Sequence, residues 1–82
     1  MFDLYSDVIL TRDVPEDRLK AGDIGTVVEH HFVSGKEPGY SVEFYDLLGD
    51  TVAVATVPES FLRSPAHEDR PSVRTLAGTH SS

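Results

Sequence analysis

The segment that most constrains the fold is residues 19–28, with the sequence LKAGDIGTVV. Gly22 and Gly25 stand three residues apart in it and lead directly into β-branched residues. A chain with this pattern turns sharply, leaves space where a side chain would clash, and then pairs as a β-strand. The two glycines therefore predict a structural loop that enters a strand, and they say more about fold than about chemistry.

Alternation and β-branched runs predict five short strands. The clearest is at residues 40–46, where Tyr40, Val42 and Phe44 alternate with more polar residues. The others are predicted at residues 7–11, 25–33, 51–57 and 62–63, with a 3₁₀ turn at 58–61 before the last strand. No long helix is indicated, so we expect a small all-β antiparallel barrel over residues 1–64.

Residues 65–82 differ in composition from the rest of the chain. They are rich in Pro, Ser, Thr, His, Gly and Ala, and Val73 and Leu76 are their only larger aliphatic residues. Such a segment buries too little apolar surface to offset the entropy lost on ordering. We predict a disordered C-terminal tail, with a docked helix at residues 72–77 as the alternative.

The charge distribution narrows the classes of partner. Residues 1–64 hold twelve acidic and five basic residues, so they carry the whole net charge of −7. Nucleic acid is bound through clustered Lys and Arg, so we expect no nucleic-acid partner, whereas acidity suits solubility or a basic protein partner. An acidic N-terminus is wrong for a secretory signal, and no run approaches the roughly 20 apolar residues of a membrane span. We therefore expect a cytoplasmic protein without a membrane partner.

The histidines and carboxylates do not form a recognisable catalytic or metal pattern. His30 and His31 are neighbours on a predicted strand, so their side chains leave opposite faces and cannot bind one ion together. Glu29 shares a face with His31, but two ligands are too few to define a metal site. No serine has the surroundings of a nucleophile. We assign no catalytic, cofactor or metal residue and expect a protein that is not an enzyme. His30 is expected to face inward if Val28 does.

Exposed polar and aromatic residues are the remaining functional candidates. Tyr45 falls on the polar face of its strand, and tyrosine is a frequent interface anchor because it buries a large area with little loss of rotamer freedom. The candidate partner surface comprises Asp13, Glu16, Asp17, His31 and Tyr45. Residues 8–10 and 52–57 are apolar on both faces, so the outside of the sheet is expected to be covered by the N-terminal segment, a second copy or another protein.

The chain resembles a family of small bacterial and archaeal proteins known as a domain of unknown function. The resemblance covers about residues 3–64 and is carried by residues 7–15 (DVILTRDVP), 19–28 (LKAGDIGTVV), 40–44 (YSVEF), 51–54 (TVAV) and 62–63 (LR). That family usually has an aliphatic residue near the position of His30. Residues 22–28 also resemble the KOW-type loop of SH3-like barrels. The resemblance implies an SH3-like barrel and brings no catalytic residues.

Three functions follow as expectations. The first is a non-catalytic acidic protein-interaction module that self-associates or that neutralises or regulates a partner protein, an antitoxin-like or immunity-like role. The second, implied by the KOW-like loop, is a module that binds nucleic acid or associates with ribonucleoprotein. The third is a small ligand-binding barrel or enzyme.

Overall fold

The computed structural model describes residues 1–71 and Val73, and it contains five β-strands and two short 3₁₀ turns. The strands are β1 (Asp7–Leu10), β2 (Ile24–His31), β3 (Gly39–Tyr45), β4 (Thr51–Pro58) and β5 (Leu62–Arg63). The 3₁₀ turns are Pro15–Asp17, in the loop between β1 and β2, and Glu59–Phe61, between β4 and β5.

All five strands form one antiparallel sheet in the order β4-β3-β2-β1-β5. This confirms the predicted all-β fold and the 3₁₀ turn before the last strand. The sheet is open in the described part of the chain, because β5 has two residues that pair with β1 and none that pair with β4. The likeness to a closed SH3-like barrel therefore stays a prediction.

One face of the sheet, the core face, holds the hydrophobic core. Directly opposed residues of antiparallel strands share a face, and Val27 opposes Val42, which in turn opposes Ala55. The small alanines of β4 leave room for Tyr40 and Phe44, the two largest fully buried side chains. The buried cluster contains Val8, Leu10, Val14, Leu19, Val27, Tyr40, Val42, Phe44, Ala55, Val57 and Leu62.

A β-bulge at Val28 decides where the histidines point. The register passes from Val27 opposite Val42 to Glu29 opposite Ser41, so one extra residue reverses the alternation along β2. As a result His30 lies opposite Tyr40 on the core face. Its ring meets that of Tyr40 edge to face at 5.4 Å, and its Nε2 lies 2.7 Å from the Phe2 carbonyl oxygen. His30 is therefore half-buried beneath the N-terminal segment.

The two glycines of the loop serve different purposes. Gly22 has φ +96° with no atom within 4 Å of a Cβ placed on it, so it is needed for backbone conformation alone. Gly25 has no positive φ, but a Cβ there would lie 2.5 Å from Val42 Cγ1 and 2.9 Å from the Glu43 carbonyl oxygen. Gly25 thus allows β2 and β3 to lie close together at a point where a larger residue would overlap β3.

The chain after β5 begins with a turn held by an ion pair. The Arg63 guanidinium donates to both carboxylate oxygens of Asp69, at 2.8 and 2.7 Å, and the Ala66 N–H donates to the same carboxylate. Most of the predicted disordered tail, namely residue 72 and residues 74–82, lies outside the described residues. Within the described residues no helix is long and apolar enough to cross a membrane.

Candidate interaction surface

The hairpin between β3 and β4 presents two leucines to solvent on a firmly braced turn. Leu47 and Leu48 are 84% and 87% exposed. The Asp46 carboxylate accepts hydrogen bonds from the backbone N–H groups of Leu48 and Asp50, both at 2.9 Å, and Gly49 has φ +89°. Side-chain to backbone bonds of this kind fix a turn locally. Two large apolar side chains are therefore held in water by a rigid tip.

An open groove of about 320 Å³ lies beside this tip, at the end of the sheet where the β1–β2 loop meets the β3–β4 hairpin. We call it the hairpin groove. Exposed apolar side chains dominate it: Ile24 is 45% exposed and Tyr45 44%. Contiguous exposed apolar surface is typical of protein-binding sites. The hairpin groove is lined by Gly22, Asp23, Ile24, Phe44, Tyr45, Asp46, Leu47, Val52, Pro71 and Val73.

Carboxylates surround the hairpin groove. Asp23 and Asp46 line it, and Glu43 lies beside Tyr45 on the same strand. The Thr51 and Tyr45 hydroxyls both donate hydrogen bonds to the Glu43 carboxylate, and these bonds lower the pKa of Glu43. The bond between Tyr45 and Glu43 also raises the pKa of the Tyr45 phenol. At neutral pH this end of the sheet therefore combines a neutral aromatic ring with negative charge.

The candidate acidic residues of the β1–β2 loop lie beyond the groove lining. The Asp13 carboxylate accepts the Ala21 N–H at 2.9 Å and so braces its own loop. Glu16 and Asp17 are exposed in the 3₁₀ turn Pro15–Asp17. Because Gly22 and Asp23 of the same loop line the groove, these acids belong to the same end of the sheet as Tyr45.

His31 lies at the opposite end of β2, where it pairs with Gly39. Its Nε2 is 2.7 Å from Ser41 Oγ and 3.6 Å from Glu29 Oε1. A catalytic triad needs the serine and the carboxylate on different ring nitrogens, whereas here both contact Nε2. Ser41 is also buried and hydrogen-bonded to Thr56. Among residues 1–71 and Val73, no cluster of three or more acidic or histidine side chains could hold a metal.

The structure thus brings Tyr45 and the acidic loop to one end of the sheet and leaves His31 at the other. The sequence interpretation did not single out Leu47 and Leu48, the two exposed leucines of the hairpin tip. A signal was present, because two consecutive leucines are unusual in a tight turn, where small and polar residues dominate. Ile24 and Val52 could not be assigned without knowing that the ends of β2 and β4 on which they lie border the same groove.

A comparison with known proteins agrees with the resemblance over the folded region. The model of the family described as Domain of unknown function (DUF4926) matches residues 4–64, which include all five strands. No curated protein and no solved structure matches the chain. The matched region covers most of the chain, so this protein belongs to the DUF4926 family of domains of unknown function.

Proposed function

We propose that this protein is a non-catalytic, acidic protein-interaction module, and that the hairpin groove binds a basic partner protein. The observation that carries the proposal is the pair Leu47 and Leu48, which a braced turn holds 84% and 87% exposed beside the groove. A rigid tip avoids the ordering entropy that a flexible loop would lose on binding. Two adjacent exposed leucines beside an apolar groove form a contiguous apolar surface of the kind found at protein-binding sites.

Charge determines the kind of partner. The folded region carries the net charge of −7, Asp23 and Asp46 line the groove, and Glu43 is hydrogen-bonded to Tyr45, which also lines it. Complementary potentials accelerate encounter and fix orientation, so the partner segment is expected to carry Lys or Arg around an apolar side chain that enters the groove. Tyr45 is its aromatic anchor, because a half-exposed tyrosine loses little rotamer freedom on binding.

Affinity capture followed by direct binding of the purified partner tests the proposal. Tyr45→Ala and Leu47→Ser are expected to weaken binding at least about tenfold. Val33→Ser is the matched control, since Val33 is 59% exposed but follows β2 at the opposite end of the sheet. The control should leave affinity unchanged, and binding should weaken as salt is added.

Four results would contradict the proposal. Equal affinity in Tyr45→Ala, Leu47→Ser and the wild type would exclude the hairpin groove. A partner without a basic segment, or binding that salt does not weaken, would exclude the role given to charge. A band shift with nucleic acid at low salt would favour the KOW-like alternative instead.

The exposed acidic residues of the β1–β2 loop allow a separate test of whether charge accelerates association with the partner. Glu16→Lys with Asp17→Lys changes the charge of the loop that contributes Gly22 and Asp23 to the groove, without touching the lining itself. The expected effect is a slower association rate with little change in dissociation, because rim charges act on encounter more than on the docked complex.

A further inference from the structure

A second surface is the free edge of β4, which shares only Val52 with the lining of the hairpin groove. In the order β4-β3-β2-β1-β5, the two edge strands are β4 with eight residues and β5 with two. A long edge strand presents unpaired N–H and C=O groups and is a template for another strand. Proteins usually protect such edges with charges, proline or bulges. The sequence of β4 is TVAVATVP, which contains no charge and has proline only as its last residue.

The ladder shows which backbone groups face that edge. Residues of an antiparallel strand alternate between bonding to one neighbour and turning to the other side. The Glu59 N–H donates to the Pro38 carbonyl at 2.8 Å, which makes the adjacent pair of Gly39 and Pro58 a non-hydrogen-bonded pair. By this alternation the residues bonded to β3 are Val57, Ala55 and Ala53, and those turned to the free edge are Thr56 and Val54.

No hydrogen bond from a turn or loop reaches these edge groups among the residues that the structure describes. Val54 is 57% exposed on the face of the sheet opposite the core, and it lies across from Glu43. The register shift next to Tyr45 distorts only the first part of β4. Within the described residues, the stretch from Ala53 to Val57 is therefore a regular and uncharged edge to which no turn or loop bonds.

The sequence of β4 reads almost the same in both directions about Val54. In an antiparallel pair with a second copy centred there, Val54 meets Val54 of the partner subunit, and Ala53 meets Ala55 of the partner subunit. Thr56 meets Val52 of the partner subunit, which lies at the register shift, so the regular part of the pairing is the run from Ala53 to Ala55. Opposed residues share a face, so alanines meet on the core face and β-branched residues on the other. Such self-complementarity is what a two-fold interface requires.

We propose that two copies of this chain associate through their β4 edges, antiparallel about Val54, to form one continuous ten-stranded sheet. Each copy carries a net charge of −7, and Asp50 and Glu59 lie at the two ends of the paired strands. Salt screens this repulsion, so association strengthens as salt is added. This is the reverse of the dependence expected for a basic partner in the hairpin groove, so the two proposals can fail separately.

Sedimentation equilibrium of the full chain over a wide range of protein concentration and salt tests the dimer against the monomer mass of 9.0 kDa. Val54→Lys is expected to weaken dimerisation at least about tenfold, because two ammonium groups would meet on the two-fold axis. Leu48→Lys makes the same charge change on the hairpin tip and should leave the dimer intact. Val54→Pro removes an N–H that is turned to the free edge and leaves the N–H groups that bond to β3 in place, so it should abolish the dimer while the monomer still folds.

Amide exchange locates the interface in the wild type without any substitution. The amides of Val54 and Thr56 should exchange fast in dilute samples and become protected on concentration, whereas those of Ala53 and Ala55 should be protected in both. A monomer at every concentration and salt would overturn the proposal. So would a dimer that survives Val54→Lys and Val54→Pro, or one that forms without new protection at Val54.

Discussion

Each face of the sheet carries one histidine of β2 and one tyrosine of β3, but their surroundings differ between the faces. On the core face, His30 and Tyr40 pack together and bond to the N-terminal segment and to Glu59. On the opposite, outer face, His31 and Tyr45 bond to polar side chains and remain partly exposed. The core face is therefore where changes should alter folding, whereas the outer face and its edge are where changes should alter association.

The largest expected effect comes from Gly25→Ala on the core face. A Cβ there would lie 2.9 Å from the Glu43 carbonyl oxygen, and backbone cannot move aside as the end of a flexible side chain can. We expect the free energy of unfolding to fall by about 3 kcal/mol or more, measured by urea denaturation. Gly39→Ala is the control, because its Cβ would meet only ordinary contacts at 3.6 Å or beyond. If the two variants were equally stable, the close approach of β2 and β3 at Gly25 would not be important for stability.

The strands could be read from the sequence because their apolar residues alternate, and Tyr40, Val42 and Phe44 of β3 are all buried. The bulge at Val28 could not, because it depends on how two distant segments pair. It explains how His30 reaches the core side of β2 when an unbroken alternation with Val27 would have turned it outward.

The candidate surface was predictable only in part. Tyr45 was identified by its place on the polar side of an alternating strand, and it lines the hairpin groove. Leu47 and Leu48 required knowledge of the turn that holds them exposed. The open edge of β4 could be identified only from the strand order, because the sequence of a strand does not show whether it lies at the edge or in the middle of a sheet.

A matched pair of tyrosine substitutions compares the faces directly. The buried Tyr40 hydroxyl donates to Glu59 at 2.7 Å and accepts the Phe2 N–H at 3.1 Å. Tyr40→Phe is expected to lower the free energy of unfolding by about 1 to 2 kcal/mol, because it leaves these groups without their partner. Tyr45→Phe, which removes one exposed hydrogen bond on the outer face, should lower stability less than Tyr40→Phe does.

The same variant should change a titration. Hydrogen bonding from Tyr40 lowers the pKa of the Glu59 carboxyl, with a further contribution from the Met1 ammonium 3.4 Å away. In Tyr40→Phe the pKa of Glu59 should therefore rise toward its ordinary value, as followed by NMR titration of the carboxyl carbon. An unchanged titration of Glu59, or equal stability losses in Tyr40→Phe and Tyr45→Phe, would mean that the faces do not differ in this way.

Gly22→Ala separates backbone conformation from packing and should have a smaller effect than Gly25→Ala. Nothing lies within 4 Å of the added Cβ, so the penalty is only that of φ +96° for a residue with a side chain. We expect a loss of about 1 kcal/mol by urea denaturation. Gly22→Asn should lose less, because asparagine tolerates positive φ better than alanine. A loss as large as that of Gly25→Ala would mean that packing, not conformation, governs Gly22.

The smallest effect is expected from the ion pair that ties the segment after β5 to the outer face. Hydrogen bonds from Arg63, then from the Ala66 N–H, lower the pKa of Asp69 to about 2 from the ordinary value of 3.8. A carboxyl whose pKa is lower in the folded state stabilises the fold above its unfolded pKa and loses that contribution as pH falls through the folded pKa. Asp69→Asn should therefore be slightly less stable than the wild type near neutral pH. The difference should shrink as pH falls from 3.8 toward 2, in thermal unfolding at low salt.

Glu68→Gln removes a neighbouring charge from the same turn and provides the matched control for Asp69→Asn. Because both sites are near the surface, added salt should reduce the effect of Asp69→Asn by screening the Arg63 pair. If the difference between Asp69→Asn and the wild type stayed constant down to pH 2, the bidentate pair would not be the source of the stabilisation. If Glu68→Gln matched Asp69→Asn at every pH, the effect would belong to overall charge. In that case neither outer-face contact, the Tyr45 hydroxyl bond nor the Arg63–Asp69 pair, would contribute specifically to stability. The difference in stability between the two faces would then be supported by the core-face variants alone.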